Sequence, residues 1–203
     1  MNIKYYCLLV CTMIILLPAC QSTTTDKQQA GTQASPIDST LSDLEYLTKA
    51  DTIALAAQKR LIQALSKAID EGGIPYAIDF CHTNALVIKD SLSGIYGAEV
   101  ARISAHYRNP VDKPNAAELE ILQAWQQLPE GETLEMKIHY ATQTVTVYKP
   151  ILIGMPTCLK CHGGAEDMDV DTRVAIQQKY PEDLATGYRL GELRGAWKIS
   201  FKR

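Results

Sequence analysis

The residues with the clearest chemical potential form one short run, Cys158-Leu159-Lys160-Cys161-His162. The spacing C-x-x-C-H is that of a c-type haem attachment site. Two thiols three positions apart can each add to one vinyl group of a single porphyrin, and the histidine that follows can supply a nitrogen ligand to the iron. The motif therefore predicts one haem c, bound covalently through Cys158 and Cys161 and ligated by His162.

Two other interpretations of the C-x-x-C pair are less favoured. A thioredoxin-like dithiol requires a βαβ context, which the flanking Pro156 and Gly163-Gly164 do not suggest. A structural zinc site requires four ligands, and the sequence contains no second C-x-x-C or H-x₃-H pair. Haem attachment remains the favoured chemistry.

The N-terminal segment has the pattern of an export signal. Lys4 is followed by an apolar run from Tyr5 to Leu17, which is typical of a signal h-region and shorter than the about 20 residues of a membrane span. The run ends in Leu17-Pro18-Ala19-Cys20, which resembles a bacterial lipobox, and we expect lipid on Cys20. Ordinary cleavage near Ala19 is the alternative. The expected location is the periplasm, at the outer membrane rather than the inner one.

The rest of the chain divides into a tether and one domain. Residues 20–41 comprise the lipidated cysteine and a segment rich in Ser, Thr and Gln, which cannot bury enough apolar surface to fold. As a random coil this tether would span about 25 Å. The boundaries are therefore a signal peptide at 1–19, the tether at 20–41 and a haem domain at 42–203.

The composition is that of an ordinary soluble core, with 46% hydrophobic residues. Lys and Arg number 20 against 23 Asp and Glu, which gives a net charge of −3. Because no long basic run is present, nucleic acid is not an expected partner. The expected contacts are the membrane, through the lipid, and a redox or signalling protein.

The hydrophobic pattern predicts long N-terminal helices followed by a small antiparallel sheet, which is an α+β fold. The first helix covers Leu44 to Ile69 and ends at Gly72-Gly73, and the second begins after Pro75 and ends near Leu92. The later elements are helices at 116–128 and 170–179 and strands at 100–104, 134–140, 144–153 and 193–201.

Subtracting the assigned cysteines leaves one. Cys7 and Cys11 are removed with the signal peptide, Cys20 takes lipid and the motif takes two more, so Cys81 remains. It lies on the apolar stripe of the second helix, either as a small buried hydrophobe or as a thiolate on the second face of the iron. The competing candidates for that ligand are His82, His106, His139, Met136, Met155 and Met168.

Several segments outside the motif resemble, in order, a family of bacterial, including cyanobacterial, single-haem c-type proteins with a PAS-like fold. The resemblance covers about 44–201 and departs at Ile103, where threonine is expected. It implies a PAS-like domain whose iron is held by His162 and Cys81. The matching residues are Ala77-Ile78-Asp79-Phe80-Cys81, Arg102-Ile103-Ser104, Arg108-Asn109-Pro110, Pro114, Tyr148-Lys149-Pro150-Ile151, Cys158 to Gly163, Tyr180-Pro181-Glu182-Asp183, Ala185, Gly187 and Arg194-Gly195-Ala196-Trp197.

Two arginines in the matching segments are candidates for the haem propionates. Arg102 and Arg108 flank a predicted loop, and guanidinium groups bind carboxylates bidentately. The alternative for both is a structural pairing with loop carbonyls or nearby acidic residues. Tyr148 and Arg194 have the same two interpretations, with the structural one favoured.

A His–thiolate iron is six-coordinate and is expected to have a low reduction potential, because thiolate stabilises ferric iron. Such a site has no open position for a substrate, so we do not expect an enzyme. The favoured function is electron transfer or redox chemistry. The alternative is a redox or gas (NO/CO) sensor that signals through a partner protein, and a peroxidase-like enzyme is third.

Overall fold

The computed structural model describes residues 41–129 and 131–203, without the side chains of 85–89. The predicted signal peptide, Cys20 and all but the last residue of the predicted tether lie outside the described residues. Within them, no helix combines the length and the apolarity needed to cross a membrane.

The first helix, α1, extends from Asp43 to Tyr96 and is interrupted at the predicted position. It begins with a capping box, in which Ser42 and Glu45 satisfy each other's backbone N–H groups. Gly73 has φ 76° and ψ −176°, which is outside helical geometry, and Pro75 follows inside the helix. The two predicted helices are therefore confirmed as two segments of α1 that meet at Gly73.

The sheet has four antiparallel strands in the order β1-β4-β3-β2. Each strand lies within three residues of its predicted limits, so the predicted α+β class is confirmed. The strands are β1 (Glu99–Ile103), β2 (Lys137–Tyr140), β3 (Thr144–Leu152) and β4 (Leu193–Lys202).

In the described part of the chain, three further α-helices and one 3₁₀ turn (Pro110–Asp112) connect the strands. Helix α2 (Ala116–Gln126) begins with a capping box between Asn115 and Glu118 and lies between β1 and β2. The motif lies on a short helix, α3 (Pro156–His162), which the sequence pattern did not predict. Helix α4 (Val170–Lys179) has its predicted limits, and Asp169 caps its N-terminus.

The two faces of the sheet pack against different helices. The N-terminal segment of α1 covers one face, where its small buried residues, such as Ala50 and Ala54, contact Val147, Trp197 and Ile199. Helix α2 covers the other face, where a second cluster is formed by Ile103, Leu122, Trp125, Tyr148, Leu193 and Ala196. This alternation along each strand is the period-2 pattern of a sheet buried on both sides.

After Gly73, α1 first packs against α4, and it returns to the first sheet cluster at Leu92 near its end. Ile78 from α1 meets Met168, Ile176 and Tyr180 in a buried cluster. Ile78 lies about one helical turn before Cys81, on the same side of α1. The packing of Ile78 against α4 therefore holds Cys81 in place relative to α4.

Gly195 allows β1 and β4 to approach closely, and replacing it should be costly. A Cβ atom at Gly195 would collide with the carbonyl oxygen of Ile103 and lie 3.2 Å from the Cβ of Ser104. Because backbone cannot move aside cheaply, we expect Gly195→Ala to lower the free energy of unfolding by about 2–4 kcal/mol. Urea denaturation followed by circular dichroism measures this loss.

The matched control is Gly94→Ala on α1, where a Cβ atom would meet nothing within 4 Å. Alanine is favoured over glycine in a helix by about 0.8–1 kcal/mol, so this variant should be at least as stable as the wild type. Equal urea midpoints for Gly195→Ala and the wild type would contradict the close approach of β1 and β4.

Candidate haem site

Helix α3 presents both motif thiols. Cys158 and Cys161 are three residues apart, which places them on the same side of a helix. Both are half-buried and neither forms a disulfide. Cys158 packs against a small cluster of Ile153, Ala185 and Tyr188, so the helix is fixed to the loop that precedes β4.

The ring of His162 is oriented by one hydrogen bond. Its Nδ1 lies 2.8 Å from the carbonyl oxygen of Ala185. A carbonyl can only accept, so Nδ1 carries the proton and Nε2 keeps the lone pair that a metal requires. Burial, followed by the charges of Arg194 and Arg108, holds the pKa of His162 well below its usual range. The imidazole is therefore neutral near pH 7.

Cys81 lies on the segment of α1 that follows the break, and it is half-buried. Its thiol is within electrostatic range of Cys161, whose pKa burial raises to about 11. Burial also raises the pKa of Cys81, while the nearby charges of Arg102 and Arg108 oppose that shift. The structure thus brings together the motif thiols and the one cysteine that the sequence left unassigned.

Arg108 is bound on several sides by protein groups. Its Nε donates to Oδ1 of Asp183 at 3.0 Å, and Nη2 contacts Oδ2 of the same carboxylate at 3.2 Å. Nη2 also donates to the carbonyl oxygens of Cys161 at 2.6 Å and Ala185 at 3.3 Å. These contacts support the structural interpretation of Arg108, as the residue that connects α3 to the loop orienting His162.

Arg102 has fewer hydrogen-bond partners than Arg108 among the described residues. Its Nη2 lies 3.4 Å from Oδ2 of Asp112, and its guanidinium lies 5.9 Å from the ring centroid of Trp197. One contact with a carboxylate among the described residues leaves N–H donors for a further anion. Arg102 therefore remains compatible with a haem propionate.

The competing ligand candidates lie mainly outside this cluster. His139 is exposed on β2, which is at the opposite edge of the sheet from β1, and Met136 packs in the cluster beneath α1. His82 is exposed, with its ring against Tyr180 at 5.0 Å. The others are His106, which is exposed against Tyr188, Met155, which is 42% exposed, and Met168, which is buried beside Ile78.

Cys81, which is half-buried, and Met168, which is buried, are consequently the two candidates of this set that are shielded from solvent near the motif. A thiol among arginine side chains can ionise and ligate iron more strongly than a thioether packed in an apolar cluster. The residues present therefore fit a c-type haem: two thiols on one helix, a neutral imidazole with Nε2 open, and a thiol near guanidinium groups.

Sequence reasoning gave no role to the groups that orient the site. Ala185 supplies the carbonyl acceptor for His162, and Asp183 supplies the carboxylate for Arg108. Tyr188 is buried, donates its backbone N–H to the carbonyl of His162 at 2.9 Å, and has its ring edge-on to the imidazole at 6.3 Å. Asp183 and Ala185 belong to matching segments, so the resemblance marked their positions without indicating their contacts.

The fold and the site define a class of protein, an α+β protein with a small antiparallel sheet and one C-x-x-C-H motif. Within that class, the chain belongs to the Tll0287-like family, whose family model matches residues 19–202. Its structure is similar to that described as the crystal structure of the cyanobacterial heme-protein Tll0287, with TM-score 0.58 and 25% sequence identity. The similarity covers 80% of this chain and 98% of that chain. Comparison with curated proteins finds no match.

Proposed function

We propose that this protein is an extracytoplasmic, lipid-anchored monohaem c-type cytochrome that carries single electrons at low potential. Haem c would be attached through Cys158 and Cys161, with His162 and Cys81 on the two faces of the iron. The observation that carries the proposal is that Cys81 lies within electrostatic range of the motif thiol Cys161 and of Arg102 and Arg108. Membership of the Tll0287-like family, together with the description of the similar structure as a heme-protein, supports haem as the cofactor.

The haem would supply one-electron exchange between ferric and ferrous iron. The residues of the chain have separate tasks in that chemistry. The carbonyl of Ala185 keeps the imidazole of His162 in one tautomer and one orientation. The positive charges of Arg102 and Arg108 favour the ionised form of Cys81. A thiolate ligand donates electron density and favours the ferric state, which is the basis for a low potential.

Two protein ligands on the iron would leave no axial position for a substrate, which is why we propose a carrier and not an enzyme. The predicted lipid on Cys20 would hold the domain near a membrane, and the tether would let it reach a partner about 25 Å away. We infer a periplasmic location, at the outer membrane rather than the inner one, and a protein redox partner.

One observation favours a second candidate function, a redox or gas sensor. Cys81 lies in the part of α1 that follows Gly73 and packs against α4, whereas the sheet cluster contacts the part before Gly73 and Leu92 near the end of the helix. Loss of a bond between Cys81 and iron would release the part of α1 around Cys81 while both of these sheet contacts remain. A partner protein would then read the movement.

Gas binding separates the two functions. We expect the reduced, haem-loaded full chain to show an unchanged visible spectrum under micromolar CO or NO and to exchange electrons rapidly between molecules, because both axial positions are filled. Absorption spectroscopy under each gas and NMR line broadening in mixed redox states measure these properties.

CO or NO binding with loss of the thiolate features would reject the carrier in favour of the sensor. Appreciable peroxide turnover by the purified protein would reject both of these functions in favour of a peroxidase-like enzyme.

A further inference from the structure

Three arginine side chains lie within electrostatic range of His162, and two of them are paired with a carboxylate. The charges of Arg194, Arg108 and Arg102 all act on the imidazole. Arg108 is paired with Asp183, and Arg102 contacts Asp112. Arg194 forms no ion pair with a carboxylate among residues 41–129 and 131–203, although Asp112 is within electrostatic range.

The hydrogen bonds of Arg194 go to neutral acceptors on one side of its guanidinium. Nη1 donates to Oγ of Ser104 at 2.7 Å and to the carbonyl oxygen of His106 at 3.1 Å. Its Nε is buried and has no hydrogen-bond partner in the part of the chain that the structure describes. The edge formed by Nε and Nη2 is thus left for another group.

Arg194 is half-buried and its Nε is fully buried, so part of the guanidinium is desolvated without a paired anion, which costs free energy. The ring of Tyr188 lies 5.5 Å from the guanidinium carbon and offsets part of that cost through a cation–π contact. The same ring lies edge-on to His162. The ring of Tyr188 therefore holds Arg194 close to His162, and the charge of Arg194 acts on the imidazole.

We propose that the Nε–Nη2 edge of Arg194 binds a propionate carboxylate of the haem. This inference rests on the proposed function, since it requires a haem at His162. A carboxylate accepts two parallel N–H bonds from such an edge. Ser104 and His106 fix the guanidinium in advance, so little side-chain entropy is lost when the anion binds. The same edge of Arg108 is occupied by Asp183. Propionate binding, which the sequence offered as one interpretation of Arg108, therefore falls to Arg194.

The experiment uses the haem-loaded full chain with Arg194→Gln, Arg194→Lys and the exposed-site control Arg189→Gln. Two properties are measured: the propionate bending mode in resonance Raman spectra, and the reduction potential across about pH 5–8. In the wild type the propionate paired with Arg194 stays ionised. The reduction potential of the haem should therefore be nearly independent of pH. In Arg194→Gln the mode should shift, and the potential should fall as pH rises because the unpaired propionate then titrates in this range.

Arg194→Lys offers a point charge without the fork, so its mode should also shift, and this variant serves if Arg194→Gln does not fold. Arg189→Gln should match the wild type. Unshifted modes in folded, loaded Arg194 variants would overturn the inference, as would a shift seen with Arg108→Gln and not with Arg194→Gln. A wild-type chain without covalent haem or without thiolate signals would instead reject the proposed function.

Discussion

Replacing Cys81 with serine is expected to abolish the low-spin thiolate signals of the ferric protein and to raise its reduction potential. Serine keeps the size of the side chain but does not supply the electron density that a thiolate gives to ferric iron. Axial ligands adjust haem potentials over about 0.8 V, so the expected rise is on the order of 0.1–0.3 V. EPR and near-infrared spectra report the ligand, and a redox titration reports the potential.

The serine variant also tests whether another side chain replaces the thiolate. Met168 is buried in the neighbouring cluster, and His82 is the next residue on α1. Two double variants identify such a replacement: Cys81→Ser with Met168→Leu, and Cys81→Ser with His82→Ala. If the removed side chain had become the ligand, the ferric spectrum of the double variant should differ from that of Cys81→Ser. As a matched control, His82→Ala alone should leave the ferric spectrum of the wild type unchanged.

Thiolate signals that persist in Cys81→Ser would contradict ligation by Cys81. The burial of that thiol would then be the ordinary burial of a small hydrophobic side chain. A wild-type spectrum of bis-histidine type, lost in His82→Ala and retained in Cys81→Ser, would assign the sixth position to His82 instead.

The fold was predictable where local sequence chemistry decides it. Gly72-Gly73 followed by Pro75 combines a residue free to leave helical geometry with one that lacks a backbone donor, and α1 breaks there. The Val, Ile, Thr and Tyr residues of β3 predict a strand, and the strand ends within one residue of its predicted limit.

The site was predictable only in its cysteines and histidine. Attachment chemistry fixes their spacing along the chain, whereas the groups that orient them come from remote positions. Arg108 meets Asp183 across 75 residues, and Arg194 meets Ser104 across 90. No local periodicity encodes such pairs, because they form only when β1 pairs with β4 and the loop before β4 folds back over the segment that follows β1. The sequence therefore could not distinguish the paired Arg108 from the unpaired edge of Arg194.

Replacing both Cys158 and Cys161 with alanine is expected to remove all covalently bound haem. Thioether bonds survive denaturation, whereas axial bonds from His162 and Cys81 are lost when the chain unfolds. In a denaturing gel stained for haem peroxidase activity, the wild-type band should stain and the double variant should not. The control is Cys81→Ser, which keeps both thioethers and should stain like the wild type.

Single variants separate attachment from folding. Each retains one thioether, so each should still stain, and its pyridine haemochrome band should move to longer wavelength because one vinyl group remains conjugated. A wild-type chain without haem would contradict thioether attachment. Bound zinc would then indicate a zinc site at the C-x-x-C pair, and a reversible Cys158–Cys161 disulfide would indicate a redox dithiol.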